Sequence, residues 1–291
     1  MQHHVIFTFS AARSRFASSA DKVCRMGGAR RNDYSMRDMP EPDEPGLDRP
    51  ESPRVASGLE PRGVDRVAAL LEVVLCSGFP TQLALGATLA QLGLPSTSGQ
   101  LDTTFVVVLA LADTVLLVGL ILVFLHAHDE SPRAVFFGDR PLKQELLAGV
   151  PLVFVAFGVA LGVLIAIRIM APWLHTVDRN PLQELMRRPT DIALFAIVVV
   201  VAGGVREELQ RAFLLRRFQQ SLGGARFGLV VTSTSFGLGH YLQGADAMIA
   251  TGLLGAFWGI VYLRRGSVGG PIVSHSGFNL LQLLQLLVLA S

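Results

Sequence analysis

Two adjacent glutamates end an apolar run in this chain: Ile192 to Arg211 reads IALFAIVVVVAGGVREELQR. On a helix Glu207 and Arg211 stand at i,i+4, and Glu208 and Arg211 at i,i+3, so either pair can meet on one face. The arginine would neutralise one carboxylate and leave the other for proton transfer; the plainer alternative is a salt bridge where a helix meets water. Two further polar sets stand in later apolar runs. Phe236 lies one turn before His240 in TSFGLGHYLQG, and His275 lies one turn before Asn279 in SVGGPIVSHSGFNLLQLL. An unpaired imidazole or amide in hydrocarbon costs several kcal/mol. Ser274 and Ser276 are local candidates to satisfy that pair, and Gln282 and Gln285 extend the stripe as helix contacts. A base for water plus donors for a developing oxyanion is what peptide hydrolysis needs.

The elements that carry these groups are apolar helices. The chain is 51% hydrophobic and 16% charged, with mean hydropathy +0.46, against about a quarter charged residues in a soluble protein. Residues 1–66 hold nearly half of the charges. This describes an all-α polytopic membrane protein behind a polar leader, residues 1–64, with a transmembrane domain over 65–291. The leader is rich in Pro, Glu, Asp, Arg and Gly and should be disordered; a start at Met36 or Met39 is conceivable. No secretory signal is evident, His3 and His4 read as tail residues, and Cys24 and Cys76 offer neither a disulfide nor a metal cluster. Nucleic acid is not an expected partner; the lipid bilayer is.

Apolar runs at about 67–94, 104–126, 145–170, 191–206, 225–241, 246–263 and 268–290 give about seven transmembrane helices, or eight with a short re-entrant one, around a polar cavity. Lys and Arg in the connections 127–144, 206–226 and 263–267 place the N-terminus in the cytoplasm and the C-terminus outside, with a bacterial inner (plasma) membrane as the expected setting. The connection 168–190, with four arginines, is the misfit and reads as an interfacial segment. Pro189-Thr-Asp191 is a helix start. From there to Glu207 a helix rises about 24 Å, less than the hydrocarbon thickness of about 30 Å. The glutamates therefore sit inside the layer, on a helix unbroken until Gly223-Gly224. Gly237 and Gly239 suggest close helix approach beside His240. Glu72 and Asp113 read as inter-helix partners, Asp246 as a cap, and His126, His128 and His175 as bystanders. Serine-hydrolase elbows, HExxH and paired intramembrane aspartates are missing from the sequence.

Taken in order, EELQR (Glu207 to Arg211), FGLGH (Phe236 to His240) and HSGFN (His275 to Asn279) resemble the CPBP family. These are CAAX proteases and bacteriocin-processing enzymes whose pattern is EExxxR, FxxxH and HxxxN or similar on successive helices. The resemblance covers about residues 190–280. It implies an intramembrane endopeptidase acting on a peptide or protein substrate, membrane-associated or of prenylated type. Carried over, Glu207 is the general base with His240 as partner, and His275 and Asn279 stabilise the oxyanion. Glu208, Arg211 and Phe236 support the site. Glu207, His240 and His275 also make a conceivable Zn2+ set; Asn279, a poor zinc ligand and a good donor, favours an account with no required cofactor. Two other readings stand beside the protease. One is a proton- or cation-coupled transporter, for which no inverted repeat or broken-helix pair is apparent; the other is an idle family member serving as scaffold or immunity protein.

Overall fold

The computed structural model describes residues 64–94, 103–178, 185–186 and 188–290, and the expected leader lies outside them. Every regular element among the described residues is helical: α1 (Arg66–Leu75), α2 (Phe79–Gln91), α3 (Thr103–Ala127), α4 (Pro132–Phe136), α5 (Leu142–Met170), α6 (Pro189–Val198), a π-helical segment (Val199–Arg206), α7 (Glu207–Ser221), α8 (Ala225–Leu238), α9 (Ala245–Arg265) and α10 (Gly269–Ala290). Each of the seven apolar runs lands on helix. Helices α3, α5 and α9 are by themselves long and apolar enough to cross a membrane, and α1 with α2, bent by 41°, makes up to a fourth. Large apolar side chains such as Val115, Phe154 and Ile169 face outward, as a lipid-facing surface requires. The chain is an all-helical integral membrane protein.

One column carries the glutamates. Helix α6, the π segment and α7 run without interruption from Pro189 to Ser221. It starts at proline, as expected, but the cap is Asp191 in the first turn, whose carboxylate accepts from the Arg188 backbone N–H at 3.0 Å. The column corrects one expectation: residues 206–226 are not a connection. Only Leu222–Gly224 turns, and Arg206, Arg211 and Arg217 are buried among carboxylates. Three arginines that counted as loop charges therefore carry no weight in an orientation argument.

Small residues set the packing around this column. At Gly204 an added Cβ would fall inside the Ser276 hydroxyl and 3.2 Å from the Ser276 Cα, so the π segment lies directly against α10. At Gly237 the same atom would be 2.7 Å from the Met248 carbonyl and 3.1 Å from the Gly252 Cα, which brings α8 onto α9. That approach was expected; Gly239 meets only backbone of its own helix. Without a hydrophobic drive between helices in lipid, such backbone proximity is the main source of their association.

Buried charges tie the column to its neighbours. Arg217 of α7 donates to Glu72 of α1 and Glu130 beyond α3, while His128 pairs with Glu72 at 2.6 Å. Arg265 of α9 forks onto Glu145 of α5 at 2.7 and 2.9 Å. Glu72 and Asp113 are thus the inter-helix partners expected of them. His128 is no bystander, nor is His175, whose Nδ1 meets the Asp246 carboxylate at 2.7 Å. Asp246 also accepts from the Ala247 N–H. Gln282 and Gln285 are exposed on α10.

Candidate active site

A cavity of about 260 Å³ opens between the α1–α2 bend, α7 and α8. Glu207, Arg211, Phe236 and His240 line it, together with Arg206 and Gln82. The first glutamate is half-buried and the second fully so. Adjacent helical residues point in different directions, which divides their surroundings.

Glu208 faces inward. Its Oε1 accepts from Arg211 on the same helix and from His275 Nδ1 of α10 at 2.8 Å. Arg211 lies over the Phe236 ring at 4.6 Å, a cation–π contact that holds the guanidinium from its other side. A buried carboxylate is tolerable only with such pairing, so the pair belongs to the scaffold of the site.

His275 is fixed on two sides, by Glu208 and by Trp258. A carboxylate at Nδ1 makes that nitrogen the donor. Trp258 stacks on the ring at 3.8 Å between centroids and 17° between planes, and itself donates to the Ser274 hydroxyl at 3.1 Å. The remaining nitrogen, Nε2, stands 3.8 Å from Glu207 Oε2. That gap is too long for a direct hydrogen bond and suits an intervening oxygen. Ser274 and Ser276 therefore do not satisfy this imidazole; the Ser276 hydroxyl is buried without a partner.

His240 follows α8 and its Nδ1 lies 2.9 Å from the Phe236 carbonyl, an acceptor only, so Nδ1 carries the proton and Nε2 is the basic nitrogen. The Phe236 ring stands edge-on between the two imidazoles, 5.0 Å from His240 and 6.0 Å from His275. Asn279 is the outlier of the set. Its amide reaches the Val199 carbonyl of the π segment at 3.4 Å, a π turn having loosened the usual ladder there.

Among the described residues no group of three His, Cys, Asp or Glu side chains is arranged to hold a metal ion. In the conceivable set of Glu207, His240 and His275, both Nδ1 atoms hydrogen-bond within the protein, so Nε2 is the nitrogen each histidine would offer a metal. No step is routed through a metal.

Sequence reasoning missed Arg206. It lies in the cavity wall, 7% exposed, and donates NH2 to Glu207 Oε1 and NH1 to Asp113 Oδ2, both at 3.1 Å. Its neighbour Gln82 donates to the same aspartate oxygen at 3.3 Å. The available signal was an arginine directly before two glutamates in an apolar column, where a charge needs a partner.

An all-helical membrane protein with carboxylates and imidazoles gathered beside a cavity among its helices is the class this arrangement defines. Residues 189–281 match the family model described as Type II CAAX prenyl endopeptidase Rce1-like, about a third of the chain; this segment is similar to that family, the one that the three motifs resemble. That family acts on peptide or protein substrates at the membrane. No curated protein and no solved structure matches the chain. One spacing departs from the pattern: EExxxR would put arginine at 212, where the chain has Ala212, and Arg211 arrives a residue earlier. It reaches Glu208 nonetheless, through the i,i+3 geometry.

Proposed function

We propose that this protein is an intramembrane endopeptidase that hydrolyses a peptide bond of a membrane-associated or prenylated-type substrate. The single observation that carries the reading is the 3.8 Å separation between Oε2 of Glu207, which lines the cavity, and Nε2 of the buried His275 behind it, within the family-matched segment. A water placed there gives its proton to Glu207 as its oxygen attacks the scissile carbonyl. His240, with a basic Nε2, lines the same cavity and assists that transfer. The tetrahedral oxyanion is stabilised by Asn279, whose weak bond to Val199 is released to the substrate, and by His275 with a proton on Nε2 while its Nδ1–H stays on Glu208. Collapse breaks the C–N bond, and Glu207 returns the proton to the leaving amine. The products are a carboxylic acid, which ionises by losing its proton to solvent or to the amine, and an amine, with no other reactant than water.

The polar cavity faces the cytoplasmic side in this reading, with the N-terminus inside and a bacterial inner membrane as the setting. Glu208 and Arg211 hold His275 in register.

The test is a comparison of peptide ends in membranes carrying the wild-type chain or Glu207→Gln. General-base loss of about 10²–10⁴-fold is expected, so specific N-termini present with wild type should vanish with the variant. Identical ends in both membranes, together with loss of a solute flux, would instead establish the transporter.

A further inference from the structure

The catalytic carboxylate is held by Arg206, and Arg206 in turn by residues that lie outside the family-matched segment. Arg206 closes the π-helical segment and is almost fully buried. One arm of its guanidinium bonds Glu207 Oε1 and the other bonds Asp113 Oδ2 on α3. Gln82 on α2 donates to the same Oδ2, and Asp113 is 1% exposed. Helices α2 and α3 thereby reach the wall of the cavity through a chain of three side chains.

Stability alone is a poor reason for this chain. Desolvating an arginine and an aspartate costs several kcal/mol per ion, and apolar residues of similar volume do as well or better. The chain is also imperfectly satisfied: Asp113 Oδ1 and Arg206 Nε are buried without hydrogen-bond partners. What it does accomplish is geometric. With Oε1 tied to Arg206, the Glu207 carboxylate cannot rotate about its last torsion, and Oε2 is the oxygen left facing His275 Nε2. Both outer nitrogens of Arg206 are engaged, so it is not placed as a docking cation for a substrate.

We infer that Arg206 is the positioning residue for Glu207, aimed in turn by Asp113 and Gln82. The inference rests on the protease reading for its kinetic consequence and on geometry alone for the contact itself. Misplacement of a reacting group by about 1 Å costs on the order of 10²-fold, and that is the loss expected when the guanidinium goes.

Two measurements on the purified full chain test it. The first needs no substrate: the antisymmetric carboxylate stretch that disappears in Glu207→Gln should shift in Arg206→Gln and shift less in Asp113→Asn. A band unmoved by Arg206→Gln overturns the inference, whether or not the protein cleaves anything. The second uses an internally quenched peptide ending in a prenylated Cys-aliphatic-aliphatic-X sequence. Arg206→Gln should lower kcat about 10²-fold with KM unchanged, and Arg206→Lys should recover part of it. Arg206→Gln also strands Asp113 as a buried charge, so it should lower Tm. The double variant Arg206→Gln, Asp113→Asn should regain Tm while kcat stays low. A double variant with wild-type kcat, or an Arg206→Gln effect confined to KM, overturns the positioning role. A wild-type chain that leaves the peptide intact counts against the substrate class of the protease reading, and the infrared result then decides the contact.

Discussion

The two glutamates differ in what surrounds them, and the difference predicts different costs of removal. Glu208 is 1% exposed and shares Arg211 and His275. Glu208→Gln leaves the Arg211 charge buried without its carboxylate, a break worth about 3–5 kcal/mol. A large fall in Tm in detergent is therefore expected, and the double variant Glu208→Gln, Arg211→Met should recover much of it, since removing both charges removes the desolvation cost. Equal Tm for Glu208→Gln and wild type would show that the pair is not the internal brace described. Glu207→Gln, at a half-exposed position in the cavity wall, should leave Tm nearly unchanged while abolishing cleavage. His275 shows the same division. Its Nδ1 side belongs to the brace and its Nε2 side to the site, so His275→Ala should fail on both counts.

At the scale of elements, the seven apolar runs were legible because hydrocarbon demands about 20 apolar residues per crossing, and every one of them is helix. The three motif pieces were legible because polar groups inside such runs are expensive and so informative. What was not legible followed from side-chain reach. Arg206 and Arg217 looked like loop charges because composition cannot show that Asp113 and Glu72 wait inside to receive them, whereas helical spacing did show Glu208 beside Arg211. The roles of His128 and His175 depend on contacts 56 and 71 residues away in sequence, which no local spacing encodes. The π segment is likewise unmarked, except by Gly203-Gly204. That pair yields a prediction. Gly204→Ala must push the column off α10 because the new methyl meets the Ser276 backbone at 3.2 Å, and overpacking of this kind costs about 1–3 kcal/mol. Gly86→Ala, in α2 with nothing within 4 Å, should gain about 0.5–1 kcal/mol from helix propensity. Opposite shifts in Tm for two identical substitutions would confirm that helix proximity, rather than glycine itself, is the requirement.

Across the whole molecule, the far end of α7 is anchored by a network that never touches the cavity. Glu130, in the connection after α3, takes hydrogen bonds from Arg217, Gln220 and Arg216. Burial by itself would raise its pKa. The hydrogen bonds from Arg217 and Gln220, the Arg217 charge and the Arg216 contact outweigh that and hold the carboxyl below its ordinary value of 4.5. A carboxylate more acidic in the folded state stabilises the fold at every pH above its unfolded value, and that contribution fades as pH falls toward the lowered folded value. The Tm difference between wild type and Glu130→Gln should accordingly be constant from neutrality down to about pH 5 and shrink below about pH 4.5. Because the network binds α1, the α3 end and α7 together, its loss should loosen the wall that α1 contributes to the cavity. Cleavage by wild type after brief exposure to acid should then fall in the same pH window as the Tm difference. A Tm difference that grows on acidification would mean that Glu130 is bound more weakly in the folded chain than its three donors require.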